Sequence, residues 1–432
     1  MRYLSTRGKT PPLPVSEAMQ RGLAGDGGLF LPESLPGFRP ADFDGLDTLP
    51  EIADRLLAPF FAGDVLAAQL RDICAGTFDF PAPLVAPRTT RGVRILELFH
   101  GPTAAFKDFG ARFLARCLAR CQTDDDRPLT ILVATSGDTG GAVAAGFHGL
   151  PGIDVAVLYP EGRVSPRQEQ QLTCWGGNVR AFRVQDDFDA CQRMVKEAFT
   201  DAALISARRL CSANSINVGR LLPQMVYYAA ASLELWRETG EPPGMIVPTG
   251  NLGNALACLL ARHMGLPIGP VVLATNANRT IPDFLDSGHW RPRPSIATLA
   301  SAMDVGNPSN MERLRSVFGE SAASVTAQAR ALAVEDSDIE REIVRADSEW
   351  GEILCPHTAT ASHAYVAHLS PEERRSPWVI VATAHPATVA TVVEPLVGRT
   401  VAVPVTLRRL MDLPAHSTPI PAEVAALRQA LD

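Results

Sequence analysis

The chain has 432 residues, too long for one ordinary core and long enough for two or three α/β domains. Its formal net charge of −7 comes without a basic stripe and interleaved aromatics, which argues against nucleic acid as a partner. The N-terminus, Met-Arg-Tyr-Leu-Ser-Thr-Arg-Gly, has no apolar h-region, no apolar run reaches a membrane span, and the 8 cysteines lack a CxxC pair, so a cytoplasmic protein with reduced thiols and no membrane partner is expected.

In chain order, the segment before residue 93 is rich in Pro and Gly. Asp26-Gly-Gly-Leu-Phe-Leu-Pro reads as a turn followed by a short apolar run. Short helices are expected over 52–61 and 65–73, then a linker at Phe80-Pro-Ala-Pro-Leu and a strand over 93–98. A helix carrying Lys107 follows, with Phe109, Phe113, Leu114, Cys117 and Leu118 at helical spacing and Arg112, Arg116 and Arg120 on another face. Asp124-Asp-Asp126 reads as a solvated acidic turn. From there strands and helices alternate. Strands are expected at 130–134, 155–159, 179–184, 245–247, 271–274 and 378–382. Helices are expected at 168–175, at 188–199, from the Gly250 turn to His263, and over 421–431 with Pro421 in its first position. The alternation predicts parallel sheets with helices on both faces. Glu241-Pro-Pro-Gly244 is the expected joint between two such layers, and Arg291-Pro-Arg-Pro294 an exposed loop.

The window Phe99-His-Gly-Pro-Thr-Ala-Ala-Phe-Lys107-Asp-Phe-Gly draws attention first. Pro102 and Thr103 read as a helix start with Thr103 as N-cap, which puts Lys107 near the first turn. The helix dipole and the flanking Phe106 and Phe109 both disfavour an ammonium there. A neutral amine is what a Schiff base to a carbonyl requires. A lysine that lays its stem on the aromatics and its head in water is the alternative.

Glycine-rich turns follow several of the strands, at the sheet edge where ligands bind. Ser136-Gly-Asp-Thr-Gly-Gly141 can point backbone N–H groups at an anion, although Asp138 is unexpected there unless its carboxylate is turned away or meets a cofactor group. Gly250-Asn-Leu-Gly-Asn254 is neither GxGxxG nor a Walker loop, yet it offers N–H groups, amides and a helix start to a phosphate. Thr383-Ala-His-Pro386 places a hydroxyl and an imidazole at a strand end. Asn214-Ser-Ile-Asn217 with Arg220 suits a dianionic phosphate, because Arg can make two parallel charged hydrogen bonds. Cys355, His357, His363 and His368 match no standard zinc spacing, and no metal is expected.

These motifs, together with Leu98-Phe-His-Gly-Pro, Ala134-Thr-Ser-Gly-Asp-Thr-Gly, Ser212-Ala-Asn-Ser-Ile-Asn, Thr383-Ala-His-Pro-Ala and the Asn276-Ala-Asn segment, resemble threonine synthase of the long-chain bacterial and fungal type, in the family's order and over nearly the whole chain. The resemblance implies an α/β fold with two parallel-sheet-based three-layer domains of the tryptophan-synthase-β-like kind (fold type II of the pyridoxal-phosphate enzymes) plus an N-terminal extension. It implies pyridoxal 5'-phosphate as cofactor and a lyase-type conversion of O-phospho-L-homoserine and water to L-threonine and phosphate, the last step of threonine biosynthesis. By that resemblance Lys107 is the Schiff-base lysine, and Gly250, Asn251, Leu252, Gly253 and Asn254 hold the cofactor phosphate. Thr383 faces the pyridine nitrogen. Thr135, Ser136, Gly137 and Asp138 hold the substrate carboxylate, while Thr139, Asn214, Ser215 and Arg220 hold the substrate phosphate. Leu252 stands where the family commonly has Phe, and Thr388 where it commonly has Lys.

The expected organisation is an N-terminal extension over 1–92, a lysine- and substrate-binding domain over 93–240, and a cofactor-phosphate domain over 241–432, in a monomer or homodimer. The nearest rival is a phospho-lyase on the same fold that releases 2-oxobutyrate. A nucleotide-binding module, with Gly250–Asn254 on a dinucleotide, is the rival from another class; it leaves Lys107 unexplained and lacks the ribose-binding acid.

Overall fold

A computed structural model describes residues 1–90, 92–121 and 127–431, so the acidic turn at 124–126 lies outside the described residues. Among these, the strands form three sheets. Tyr3–Ser5 pairs antiparallel with Phe30–Pro32, the latter entered through the Asp26-Gly27-Gly28 turn. Gly27 takes φ +77 there, a backbone conformation that a residue with a Cβ resists.

A five-stranded parallel sheet runs in the order Thr418–Ile420, Val179–Val184, Ile153–Pro160, Leu129–Ala134, Arg209–Ser212. A six-stranded sheet runs Arg330–Ala333, Val271–Thr275, Gly244–Pro248, Trp378–Ala382, Val93–Glu97, Leu84–Val85, and is parallel except at its last pair. The central strands Leu129–Ala134, Gly244–Pro248, Val271–Thr275 and Trp378–Ala382 are buried at every residue. This explains their largely apolar sequence, because helices cover both sheet faces. No described helix is long and apolar enough to cross a membrane.

Sheet membership departs from the expected segmentation at two places. Val93–Glu97, placed by sequence with residues 93–240, pairs with Trp378–Ala382 in the six-stranded sheet. Thr418–Ile420, placed with 241–432, crosses back to pair with Phe182–Val184 in the five-stranded sheet. Smaller shifts have local causes. The helix expected at 168–175 runs Pro166–Thr173, because Ser165 and Gln168 form a reciprocal capping box. The terminal helix begins at Val424, so Pro421 precedes the helix rather than opening it.

The N-terminal extension supports the lysine helix, Lys107–Leu118. Phe61 meets Phe113 edge-on at 6.0 Å between ring centres, while Phe78 and Phe80 stack on Phe109 at 5.8 and 4.5 Å. Arg112, one turn on, lies over the Phe80 ring at 5.6 Å and pairs with Asp79 at 2.6 Å. Burial of those aromatic rings sets the axis of the helix whose first residue is Lys107.

Candidate active site

The loop between Val93–Glu97 and the lysine helix is stitched to the Thr383 strand end. Leu98 N–H donates to Ala382 O at 3.0 Å, Phe106 N–H to Thr383 O at 2.8 Å, and His385 N–H to Ala104 O at 2.9 Å. Ala104 sits at φ +56, uncommon for a residue with a Cβ, and the loop is held there from both sides. Thr103 is not the N-cap expected from sequence. Phe106 occupies that position without a side-chain cap, and Thr103 instead gives its N–H and hydroxyl to the Asp108 carboxylate at 2.9 and 2.7 Å. Asp108 is fully buried, and burial pushes its carboxyl up to about 6 against the Thr103 hydrogen bonds.

Lys107 points into a cleft of about 1130 Å³ between the two sheets. Its Nζ lies 3.5 Å from Asp138 Oδ2 and 5.4 Å from the Phe106 ring centre. The ammonium that neighbouring aromatics were expected to disfavour therefore has an anionic partner that local sequence did not reveal. Asp138 opens the Asp138–Phe147 helix, and its other oxygen accepts from Gln168 Nε2 at 2.9 Å. Burial alone would raise the Asp138 carboxyl, but Lys107, His357 and the Gln168 hydrogen bond hold it below its ordinary value. Its carboxylate is turned toward Lys107, which resolves its presence in a loop otherwise suited to anions.

The loop before that helix braces itself. Thr135 Oγ1 accepts from Gly137 N–H at 3.0 Å and Gly140 N–H at 2.9 Å. Gly137 has φ +142, and a Cβ there would stand 2.5 Å from Gln168 Nε2. Thr135, Ser136, Asp138 and Thr139 line the cleft, with Gly137 behind them.

On the opposite wall, the Gly250 turn leads into the Gly253–His263 helix. A Cβ on Gly250 would stand 2.7 Å from Met303 O and 2.8 Å from Met303 Cα, so only glycine allows this approach. Leu252 is buried at φ +62, beneath the surface that Gly250, Asn251, Gly253 and Asn254 present. Asn254 spends its side chain inside the turn, accepting from Thr249 Oγ1 at 2.8 Å and donating to Pro248 O at 2.9 Å. Among the described residues, the N–H groups of Asn251, Leu252 and Gly253 donate to no protein acceptor. A fan of free N–H groups at a helix N-terminus, with a glycine whose missing Cβ makes the room, fits the phosphate of pyridoxal phosphate.

The Asn214 loop forms the far end. Asn214 Nδ2 donates to Ala134 O at 3.1 Å, and Ser215 Oγ accepts from Asn251 Nδ2 at 2.5 Å, so the two expected phosphate sites touch. Arg220 is 4% exposed. Burial draws its guanidinium down to about 10, despite attraction from Asp108. Nη1 donates to Ala213 O at 2.5 Å, while Nε is buried with no protein partner among the described residues. A desolvated cation with an orphan donor in a cleft wall is poised for an anion. Thr383 lines the same cleft, near Lys107. Thr388, by contrast, is buried and gives its hydroxyl to His385 O at 2.8 Å.

Sequence reasoning missed several contributors. Gln168 sets the Asp138 carboxylate, and Gln224 holds Arg220 O at 2.7 Å. His357 lines the cleft, accepts from Ala302 N–H at 3.1 Å, and is kept neutral by burial, which lowers it to about 4. Neighbouring Cys355 caps its own helix through Sγ. No group of three or more His, Cys, Asp or Glu residues among those described is placed to hold a metal.

Comparison with known proteins meets this geometry. Residues 81–384 match the family described as pyridoxal-phosphate dependent enzyme, and residues 2–78 match the threonine synthase N terminus. The chain is 39% identical to threonine synthase of Escherichia coli (strain K12) over 100% of its own length and 99% of that protein. It is 40% identical to threonine synthase of Serratia marcescens over 100% and 99%. A crystal structure of pyridoxal-phosphate-bound threonine synthase from Brucella melitensis superposes with a TM-score of 0.91 at 34% identity, covering 100% of this chain and 98% of that one. With both family models matched and identities near 40% over the whole length, the chain belongs to the threonine synthase family of pyridoxal-phosphate-dependent enzymes.

Proposed function

We propose that the chain converts O-phospho-L-homoserine and water to L-threonine and phosphate, with Lys107 as the residue that carries pyridoxal phosphate. The observation that carries this reading is the pair of anion sites beside Lys107: the free N–H fan of the Gly250 turn and the Asn214–Arg220 pocket, joined by the Asn251–Ser215 hydrogen bond. Pyridoxal phosphate, when bound, supplies the electron sink that this chemistry needs.

The protein's residues do the rest. The Gly250–Asn254 turn holds the cofactor phosphate, and Thr383 offers a hydroxyl to the pyridine nitrogen. Thr135 to Asp138 receive the substrate carboxylate at the start of the Asp138–Phe147 helix, in a loop whose shape the Thr135 hydroxyl sets. Thr139, Asn214, Ser215 and Arg220 take the substrate phosphate. The Lys107 amine would move protons at the α and β carbons of the substrate. Asp138, at 3.5 Å, holds its Nζ in place. The phosphate leaves from the γ carbon into the Arg220 end of the cleft.

Incubation with O-phosphohomoserine, with threonine, 2-oxobutyrate and phosphate all quantified, tests the proposal. Threonine and phosphate in equal amounts is the expected result. Dominant 2-oxobutyrate would assign the chain to the phospho-lyase reaction, and no phosphate release at all would refute both.

A further inference from the structure

Arg313 is fully buried on the Met311–Phe318 helix, yet no carboxylate touches it among the described residues. Its fork is used on carbonyl-type acceptors from three parts of the chain. Nε donates to Phe30 O of the N-terminal extension at 3.1 Å. Nη1 donates to Ser215 O at 3.2 Å and to Asn310 Oδ1 at 2.8 Å, and Nη2 to Ile216 O at 2.5 Å. Glu312, the adjacent acid, is engaged elsewhere, with Arg7 and Thr6. Glu312 attracts Arg313 through space without touching it. A buried charge with no ion-pair contact is costly, and a purely structural tie between loops needs no charge.

The carbonyls it selects are informative. All described peptide bonds are trans, and in a trans peptide the C=O and N–H point in opposite directions. With Ser215 O drawn to Arg313, the Ile216 N–H is turned the other way. Ser215 and Ile216 both line the cleft, and the N–H groups of both donate to no protein acceptor among the described residues. The same Asn310 that receives Arg313 also donates to Asn251 O at 3.1 Å, so the arrangement is braced against the cofactor-phosphate turn.

Building on the proposed function, we infer that Arg313 is a positioning residue for the substrate phosphate. It turns the Ser215–Ile216 peptide so that the Ile216 N–H serves as a phosphate donor, and its buried charge acts with that of Arg220 on the same anion. The counter-ion of Arg313 is then the bound phosphate itself.

The test uses holoenzyme and a matched pair of ligands. 2-Amino-5-phosphonopentanoate keeps the substrate's chain with a phosphonate at its end, and L-norvaline is the same chain without it. Both are titrated by the change in cofactor absorption. Arg313→Lys keeps the charge but not the fork. It should weaken phosphonate binding about tenfold or more while leaving norvaline binding within about twofold. A packing defect alone would weaken both ligands together, so equal losses, or no loss, would overturn the role. A second measurement on the wild-type holoenzyme is independent of any variant's folding: hydrogen exchange in the peptide containing Ser215 and Ile216 should slow with the phosphonate and not with norvaline. No difference between the two ligands there would also overturn it. A wild-type enzyme that fails to prefer phosphonate over norvaline would refute the phosphate pocket itself, whereas a clear wild-type preference unaltered in Arg313→Lys would refute only Arg313.

Discussion

Replacing Arg220 with Met should make the protein more stable and nearly useless for its substrate. The stability side follows from burial. The guanidinium falls from its ordinary value to about 10 in the fold, chiefly because it is desolvated, against the attraction of Asp108. Between those values the unfolded chain binds more protons, so stability rises with pH only in that window, and at neutral pH the whole cost of the buried cation is present. At about 1.4 kcal/mol per pH unit the cost is roughly 3 kcal/mol. Methionine removes it and forfeits the Nη1 bond to Ala213 O, worth about 1 kcal/mol. The net gain of about 2 kcal/mol should raise the thermal midpoint of the ligand-free enzyme by a few degrees. The functional side has the opposite sign. Losing a buried charged partner of phosphate costs roughly 2–5 kcal/mol, so kcat/KM for O-phosphohomoserine should fall by a factor of about 30 to several thousand. The assay is initial-rate phosphate release over a range of substrate concentration, alongside thermal unfolding of both proteins. A variant that is less stable than wild type, or that keeps kcat/KM within about threefold, would refute the assignment of Arg220 as a cation held in reserve for an anion.

Lys107→Ala should fold normally, yield no borohydride-trapped cofactor in the peptide that carries position 107, and lose threonine formation; near-normal turnover would sink the central assignment. Asp108→Asn can keep both Thr103 contacts, by accepting from its N–H and donating to its hydroxyl. The Asp108 carboxyl rises from 3.8 to about 6, so the folded wild type holds the extra proton between those values and loses stability as pH climbs through them. The variant should therefore match wild type near pH 4 and exceed it by up to roughly 3 kcal/mol above pH 6, and a gap in thermal midpoint that does not change with pH would contradict this. Gly250→Ala drives a Cβ to within 2.9 Å of three Met303 backbone atoms. Overpacking of about 1–3 kcal/mol at the phosphate turn should appear as weaker cofactor binding in equilibrium dialysis, and unchanged affinity would show that the turn does not hold the cofactor. Thr383→Val should lower cofactor affinity through an unpaired ring nitrogen, and unchanged affinity would mean that Thr383 does not face the ring.

Local features of this chain carried a great deal. Trp378–Ala382 has the limits that its apolar run predicts, because a strand covered on both faces has only apolar residues to offer, and Val179–Val184 also keeps its predicted limits with Arg180 and Arg183 at half-buried positions. Lys107 at a helix start was legible because it depends on neighbours in sequence, and Gly250 was legible as part of a glycine-rich turn, although the close approach of Met303 that excludes anything larger was not. Thr103 was misread for the same reason. Its position fits a cap, but the loop turns it toward Asp108, and that turn is set by hydrogen bonds to Thr383 and Ala384's neighbour His385, far along the chain.

What local sequence could not contain is which distant groups share a low-dielectric space. Arg313, in Met-Glu-Arg-Leu-Arg, looks like one cation of a solvated helix face, yet it is fully buried against Phe30, Ser215 and Ile216. Asp138 looks out of place in an anion loop until the fold brings Lys107 to 3.5 Å. Val93–Glu97 joins a sheet other than that of the strands that follow it, and Thr418–Ile420 one other than that of the strand before it, since strand pairing is decided by long-range hydrogen bonds that leave no periodic mark. The residue types and spacings alone determined the chemistry available to this protein: an amine, glycine turns for phosphates, an arginine. The tertiary structure decided which of those groups face one another, and burial then set their charges, because desolvation and Coulomb attraction depend on neighbours in space rather than on neighbours in the chain.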